Sequence, residues 1–371
     1  MKKPVRLLAF ALVLLTSVLP VSVFASEDGA LSLALSCEKA SEVAGEYTFE
    51  YLSGFAGSSE ADWLAISLAD IGAENAPVYA AELERRLESG ELEPSLATDY
   101  MRLAMALKAT GGTSYTALLE DGVFYNDSLG ARGANDYIWA ILSVEYCGVP
   151  VPGDAVNTPD LSAERLASCE LESGGFALIG TSADADVTAL AVRALALFAD
   201  EYRPVIDRSL ATLSSLQGEN GAFSSMGTVN AESTAQVIAA LAALGLDPRT
   251  ESGFIKNGLS CLDALADFMT AGGFSHTAGG RVNLLATAQA LSALRLLYGD
   301  GLTVSAAGTQ FPESFSPDEN TAVSDTASAS SAPAQADGGT GGVITVVVVA
   351  VFVAVALSAY IRVRLSKQYE K

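Results

Sequence analysis

Gln217-Gly218-Glu219-Asn220-Gly221-Ala222-Phe223, running into Glu232-Ser233-Thr234-Ala235-Gln236, is the middle one of three copies of a single grammar. In each copy a Gly-rich turn ending in Phe leads through a polar loop to an Ala- and Leu-rich helical pattern. The copy before it is Gly174-Gly175-Phe176, leading to Asp186-Val187-Thr188-Ala189-Leu190. The copy after it is Gly272-Gly273-Phe274, leading to Thr287-Ala288-Gln289-Ala290-Leu291. The phenylalanines recur at a period of about 50 residues, which is the signature of a repeat architecture. Weaker copies lie at Gly122-Val123-Phe124 and Ser53-Gly54-Phe55.

Between copies runs a second, more amphipathic helical pattern, so each repeat is a helix pair. The Ala-rich set predicts inner helices near 62–71, 95–109, 135–146, 186–199, 232–244 and 283–297. The amphipathic set predicts outer helices near 32–51, 76–87, 115–119, 162–171, 204–216 and 254–269. Six of each is what a closed double ring requires, and alanine lets the inner helices approach closely. The expected fold is therefore all-α, an (α/α)6 toroid spanning 26–302. Cys37 on the first outer helix and Cys261 on the last become neighbours only if the ring closes, and Cys147 and Cys169 flank one inner-to-outer connection. These are candidate disulfide pairs, with buried free thiols as the alternative.

The two ends of the chain read differently from its middle. Lys2, Lys3 and Arg6 precede an apolar run over 7–19 and the small-residue pattern Val23-Phe24-Ala25, which predicts a signal peptide over 1–25. Residues 343–361 are uncharged and rich in Val and Ala, long enough to span a bilayer core of about 30 Å as a helix. Arg362, Arg364 and Lys367 follow in a short tail, 362–371, as a positive-inside stop signal. The Ser-, Ala-, Thr- and Pro-rich stretch 303–342 lacks apolar periodicity and reads as a disordered stalk. The expected localisation is a single-pass cell-membrane protein with its toroid outside. The formal charge of −23 would repel nucleic acid, so no nucleic-acid partner is expected; the expected partners are a small-molecule or surface ligand and the membrane. One histidine and four scattered cysteines leave no metal-ligand spacing and no expected metal site.

The repeats resemble those of the terpenoid cyclase and protein prenyltransferase superfamily, α/α toroids that also include transcobalamin-like carriers. The resemblance covers Ser32 to Tyr298. Gln217-Gly218-Glu219-Asn220-Gly221-Ala222-Phe223 is similar to the QW repeat of squalene cyclases, with Phe in place of Trp. Asp184-Ala185-Asp186-Val187-Thr188-Ala189 resembles the DxDDTA signature of class II terpene cyclases, and by that likeness Asp186 is the proton donor beside Asp184, with Val187 standing where the family has its last Asp. The transcobalamin-like branch implies cobalamin as a ligand; no other cofactor is expected.

Two readings of Asp186 compete. As an exposed group near its ordinary pKa it would be ionised at neutral pH and unable to protonate carbon. It would then serve as a helix N-cap, with Glu232 at the equivalent place in the next repeat. That reading, with no catalytic metal residues, predicts a ligand-binding or scaffold module rather than an enzyme. The alternative is a cyclase-like enzyme, an isomerase or lyase. For either, candidate contact residues gather where the inner helices begin: Asp184, Asp186, Asn230, Glu232, Gln236, Asn283 and Gln289, with His276 in a loop and Trp63, Tyr137 and Trp139 as stacking surfaces.

Overall fold

The computed structural model describes residues 31–304. The expected signal peptide, membrane span and tail, and all but the first two residues of the expected stalk, lie outside the described residues. Among the described residues no helix is long and apolar enough to cross a membrane.

The chain opens with α1 (Leu33–Glu46), α2 (Phe49–Ser53), α3 (Ser59–Asp70), α4 (Ala76–Ser89) and α5 (Ala97–Thr110). It continues through α6 (Tyr115–Leu119), α7 (Ala134–Cys147), α8 (Pro159–Ala167), α9 (Ala185–Leu195) and α10 (Ala199–Leu216). A hairpin of β1 (Ser224–Ser225) and β2 (Thr228–Val229) precedes α11 (Ala231–Ala243). A second, β3 (Ile255–Lys256) with β4 (Leu259–Ser260), precedes α12 (Cys261–Ala266). A third, β5 (Met269–Thr270) with β6 (Gly273–Phe274), precedes α13 (Leu284–Tyr298).

The Ala-rich helices α3, α5, α7, α9, α11 and α13 each pack on the next, and α13 returns to α3, so the inner ring is closed. The outer helices lie against it, α4 on α5, α8 on α7, α10 on α9 and α12 on α11. Composition explains the sorting. Every residue of α11 from Ala231 to Leu241 is buried, a run dominated by small and apolar side chains, with Glu232 and Gln236 as its large polar members. The outer α10 buries Ile206, Ser209 and Leu213, one stripe at helical spacing. Hydrogen bonds across the seam hold the first and last repeats together. Ser67 Oγ donates to the Ala288 carbonyl at 2.8 Å, Lys39 Nζ to that of Thr270 at 2.7 Å, and the Tyr298 hydroxyl to that of Leu31.

The repeated Gly-Phe turn and Thr form one device. Thr188, Thr234 and Thr287 accept the backbone N–H of Phe176, Phe223 and Phe274 at 3.0, 3.1 and 2.9 Å. The carbonyls of the same phenylalanines accept the N–H of Asp184, Asn230 and Asn283, the residues that begin the next inner helix. Each turn is thereby tied to a helix start, and each Phe ring is wholly buried, worth about 1.5–3 kcal/mol apiece. Glycine is required here on steric grounds: a Cβ on Gly221, at φ 81°, would lie 2.5 Å from the Ser260 carbonyl oxygen.

Three expectations need correction. The first outer helix is broken at Tyr47, because the Thr48 side chain accepts the N–H of Tyr51 and starts α2 afresh. The last is only the short α12. Asn257 and Gly258, at φ 51° and 82°, turn the chain into a hairpin over what the amphipathic pattern predicts as helix. Neither disulfide is formed: Cys37, Cys147, Cys169 and Cys261 are free thiols. Cys37 Sγ donates instead to the Gly301 carbonyl at 3.4 Å and Cys169 Sγ to that of Arg165 at 3.3 Å, while Cys147 and Cys261 are buried.

Candidate active site

The inner ring surrounds a partly open cavity of about 160 Å³ to which all six inner helices contribute side chains. Its size is close to that of an engineered cavity of ~150 Å³ that takes up benzene, and below the roughly 300–1,000 Å³ of pockets for drug-sized ligands. The space therefore suits a small molecule or the end of a longer one.

Asp186 stands on the cavity wall, one residue into the second position of α9. It is not the cap. Asp184 holds that role, its Oδ1 accepting the N–H of Asp186 at 2.9 Å and of Val187 at 3.2 Å, while its Oδ2 accepts from the Ser225 hydroxyl at 2.7 Å. With the helix end satisfied by Asp184, the Asp186 side chain is released to the interior, where Oδ1 is buried without a hydrogen-bond partner. Burial first, and then the negative charges of Asp184 and Glu232, push its carboxyl up to about 7; the Ser233 hydroxyl and His276 act in the opposite direction. An acid that keeps its proton near neutral pH is what general-acid chemistry needs.

The other predicted residues divide into two groups. Trp63, Trp139, Gln236 and Gln289 line the cavity with Asp186. The two indoles meet from α3 and α7 with ring centroids 4.8 Å apart, tilted by 39°. Gln236 Nε2 donates to Gln289 Oε1 at 3.1 Å, bridging α11 to α13. The remaining residues are engaged elsewhere. Asn230 caps α11, its Oδ1 accepting from Ser233 N at 2.7 Å and its Nδ2 donating to the Thr228 carbonyl; Asn283 caps α13 through Ala286 N at 2.8 Å. Tyr137 lies outside the cavity wall with the Arg165 guanidinium over its ring. Glu232 pairs with His276 Nδ1 at 2.9 Å, and that hydrogen bond raises the His276 pKa above its ordinary value. Glu232 and His276 act on Asp186 as neighbouring charges rather than as cavity wall.

Sequence reasoning missed the far end of the cavity. Asp70, Tyr146 and Arg193 line it near the ends of α3, α7 and α9. The Tyr146 hydroxyl donates to Asp70 Oδ1 at 2.6 Å. Arg193 follows Asp186 by two helical turns and so shares its face, a spacing the sequence carries openly. Arg102 also reaches the wall but is held by the fully buried Asp62 at 2.9 Å, which accepts from Gly57 N and the Tyr79 hydroxyl as well. Among the described residues there is no cluster fit to hold a metal ion.

No protein-family model matches the chain, and no curated protein matches it. Solved structures do match, among them ent-copalyl diphosphate synthase from Streptomyces platensis, at 21% identity and a TM-score of 0.46. The match covers 64% of this chain and 50% of that one, so the chain spans about half of that protein's length. The expectation of a non-enzyme is corrected at its premise: Asp186 is not an exposed, ionised cap, because Asp184 caps α9 and Asp186 is buried on the cavity wall.

Proposed function

We propose that the chain is an enzyme of the class II terpene cyclase type, in which Asp186 protonates a carbon–carbon double bond of a small unsaturated substrate. The supporting observation is a carboxyl that keeps its proton to about pH 7 on the wall of a closed helical ring, facing the same cavity as a pair of indoles. The Asp186 O–H proton goes to one alkene carbon and leaves a cation on the other. The indole faces of Trp63 and Trp139 stabilise that cation by their quadrupoles. A second π bond, where the substrate has one, attacks it, and loss of a neighbouring proton ends the sequence. That proton passes to solvent at the open side of the cavity, from which Asp186 takes one back, so the product is an isomer of the substrate.

A carrier function is the weaker reading, because a corrinoid far exceeds a cavity of about 160 Å³ and would have to rest outside the ring. The patterns at 1–25 and 343–361 support export and anchoring, which would put this chemistry at the outer face of a membrane.

The test is incubation of the full-length chain in D₂O with unsaturated C6 to C20 alcohols, acids and diphosphates, followed by mass spectrometry. The expected result is an isomer carrying one deuterium on carbon, made by the wild type and lost by at least a hundredfold in Asp186→Asn. No isomer from any substrate, or equal rates in the variant, would reject the proposal.

A further inference from the structure

The end of the cavity opposite Asp186 carries a charge that the proposed chemistry does not use. Arg193 lines the cavity together with Asp70 and Tyr146, and among the described residues no ion pair joins its guanidinium to a carboxylate. Its natural partner, Asp70, is turned to the Tyr146 hydroxyl at 2.6 Å. A second guanidinium, that of Arg295, acts on the same Asp70. Its Nη2 donates to Asp300, while Nη1 is buried without a partner. A guanidinium presents several N–H donors, and the one carboxylate on this part of the wall, Asp70, is already engaged by Tyr146, so Arg193 has donors to offer a ligand in the cavity.

From this we infer that the floor of the cavity is a site for the carboxylate head of a small unsaturated acid, held by Arg193 with its alkene directed at Asp186. Three observations fix the class of ligand. A planar guanidinium accommodates a carboxylate through paired N–H donors. At the other end Asp184 and Glu232 act on the cavity wall at Asp186 as negative charges, which disfavour an anionic head there and leave Arg193 as its place of rest. Asp186 and Arg193 are separated by roughly 10 Å along α9, and the long Arg side chain leans back toward the start of its helix. The gap and the cavity of about 160 Å³ together suit an acid of about six to ten carbons. A diphosphate, with its higher charge, would outweigh a floor where Asp70 offsets one of the two guanidinium groups.

This inference rests on the cyclase reading for its second contact, and binding separates the two. Calorimetry on the full-length chain would use 5-methylhex-4-enoic acid and geranic acid, their primary alcohols, and geranyl diphosphate. The acids are expected to bind at least tenfold more tightly than the alcohols and than the diphosphate, to lose about tenfold or more in Arg193→Gln, and to recover part of that in Arg193→Lys. Binding to Asp186→Asn is expected to persist while turnover disappears. Alcohols binding as well as acids in the wild type, which requires no variant to fold, would overturn the inference, as would tighter binding of the diphosphate or unchanged affinity in Arg193→Gln. Acid binding through Arg193 without any turnover would leave this site standing and remove the cyclase reading. Asp186-dependent turnover of neutral alkenes, indifferent to Arg193, would do the reverse.

Discussion

At Asp186 the local solution to a helix end and the chemistry of the site are separated by two residues. Asp184 accepts the orphan N–H groups, which frees Asp186 to face the cavity with an oxygen that nothing satisfies. Keeping such a carboxyl neutral has a consequence for stability. The folded state retains a proton that the unfolded chain, with an Asp pKa near 3.8, gives up. Stability should therefore fall as pH rises from about 4 to about 7, by on the order of 4 kcal/mol at most. Asp186→Asn should remove that slope, so its melting temperature should exceed the wild type's at pH 8 and approach it at pH 4. Equal pH dependence in the two would contradict the assignment. Asp184→Ala, by contrast, should destabilise at every pH by about 1 kcal/mol through loss of the cap. The motif Asp184-Ala185-Asp186 was legible as a site in the sequence, but the assignment of cap and acid was not. A carboxylate two positions along reads equally well as either until the loop before it is placed.

Among elements, the Gly-Phe turn and the inner helix that follows it behave as one unit through the shared Thr. Thr234→Val leaves the buried Phe223 N–H without an acceptor and should cost about 1–3 kcal/mol in denaturant titration. Phe223→Leu should be milder, since burial is mostly kept. Gly221→Ala should be worse than Gly227→Ala. Both glycines have φ near 80°, but only the first would drive a Cβ into a backbone carbonyl, whereas the second faces open space. Equal costs would mean that strain alone, and not the close approach to Ser260, fixes the glycine. The inner helices were readable from their alanine content within a few residues. The last outer element was not, because its apolar residues keep helical spacing on both sides of Asn257-Gly258. A turn signal that should have outweighed periodicity was buried inside an amphipathic pattern.

For the whole molecule, closure of the ring was legible by counting helix pairs, although the cysteines offered in its support contribute no bond. The seam is held by Ser67, Lys39 and Tyr298 through backbone carbonyls, contacts with no counterpart in any sequence pattern. Alkylation in denaturant without reductant should accordingly count four free thiols. In the native protein Cys147 and Cys261, whose pKa burial pushes up to about 12, should be protected, while Cys37 and Cys169 react first. A mass lower by two hydrogens per pair would contradict this. The cavity at the centre is a property of the assembly alone: Trp63 and Trp139 come from helices separated by α5, and Arg193 on α9 lines the same cavity as Asp70 on α3. No single repeat contains the site, which is why the acid end was visible from a motif and the basic end was not.

Asp186 as a neutral acid on the wall of the ring is tested most directly by its titration in ¹³C carboxyl NMR, assigned with Asp186→Asn. A midpoint near pH 7 is expected. A midpoint near 4, the value of a solvated Asp, would contradict it.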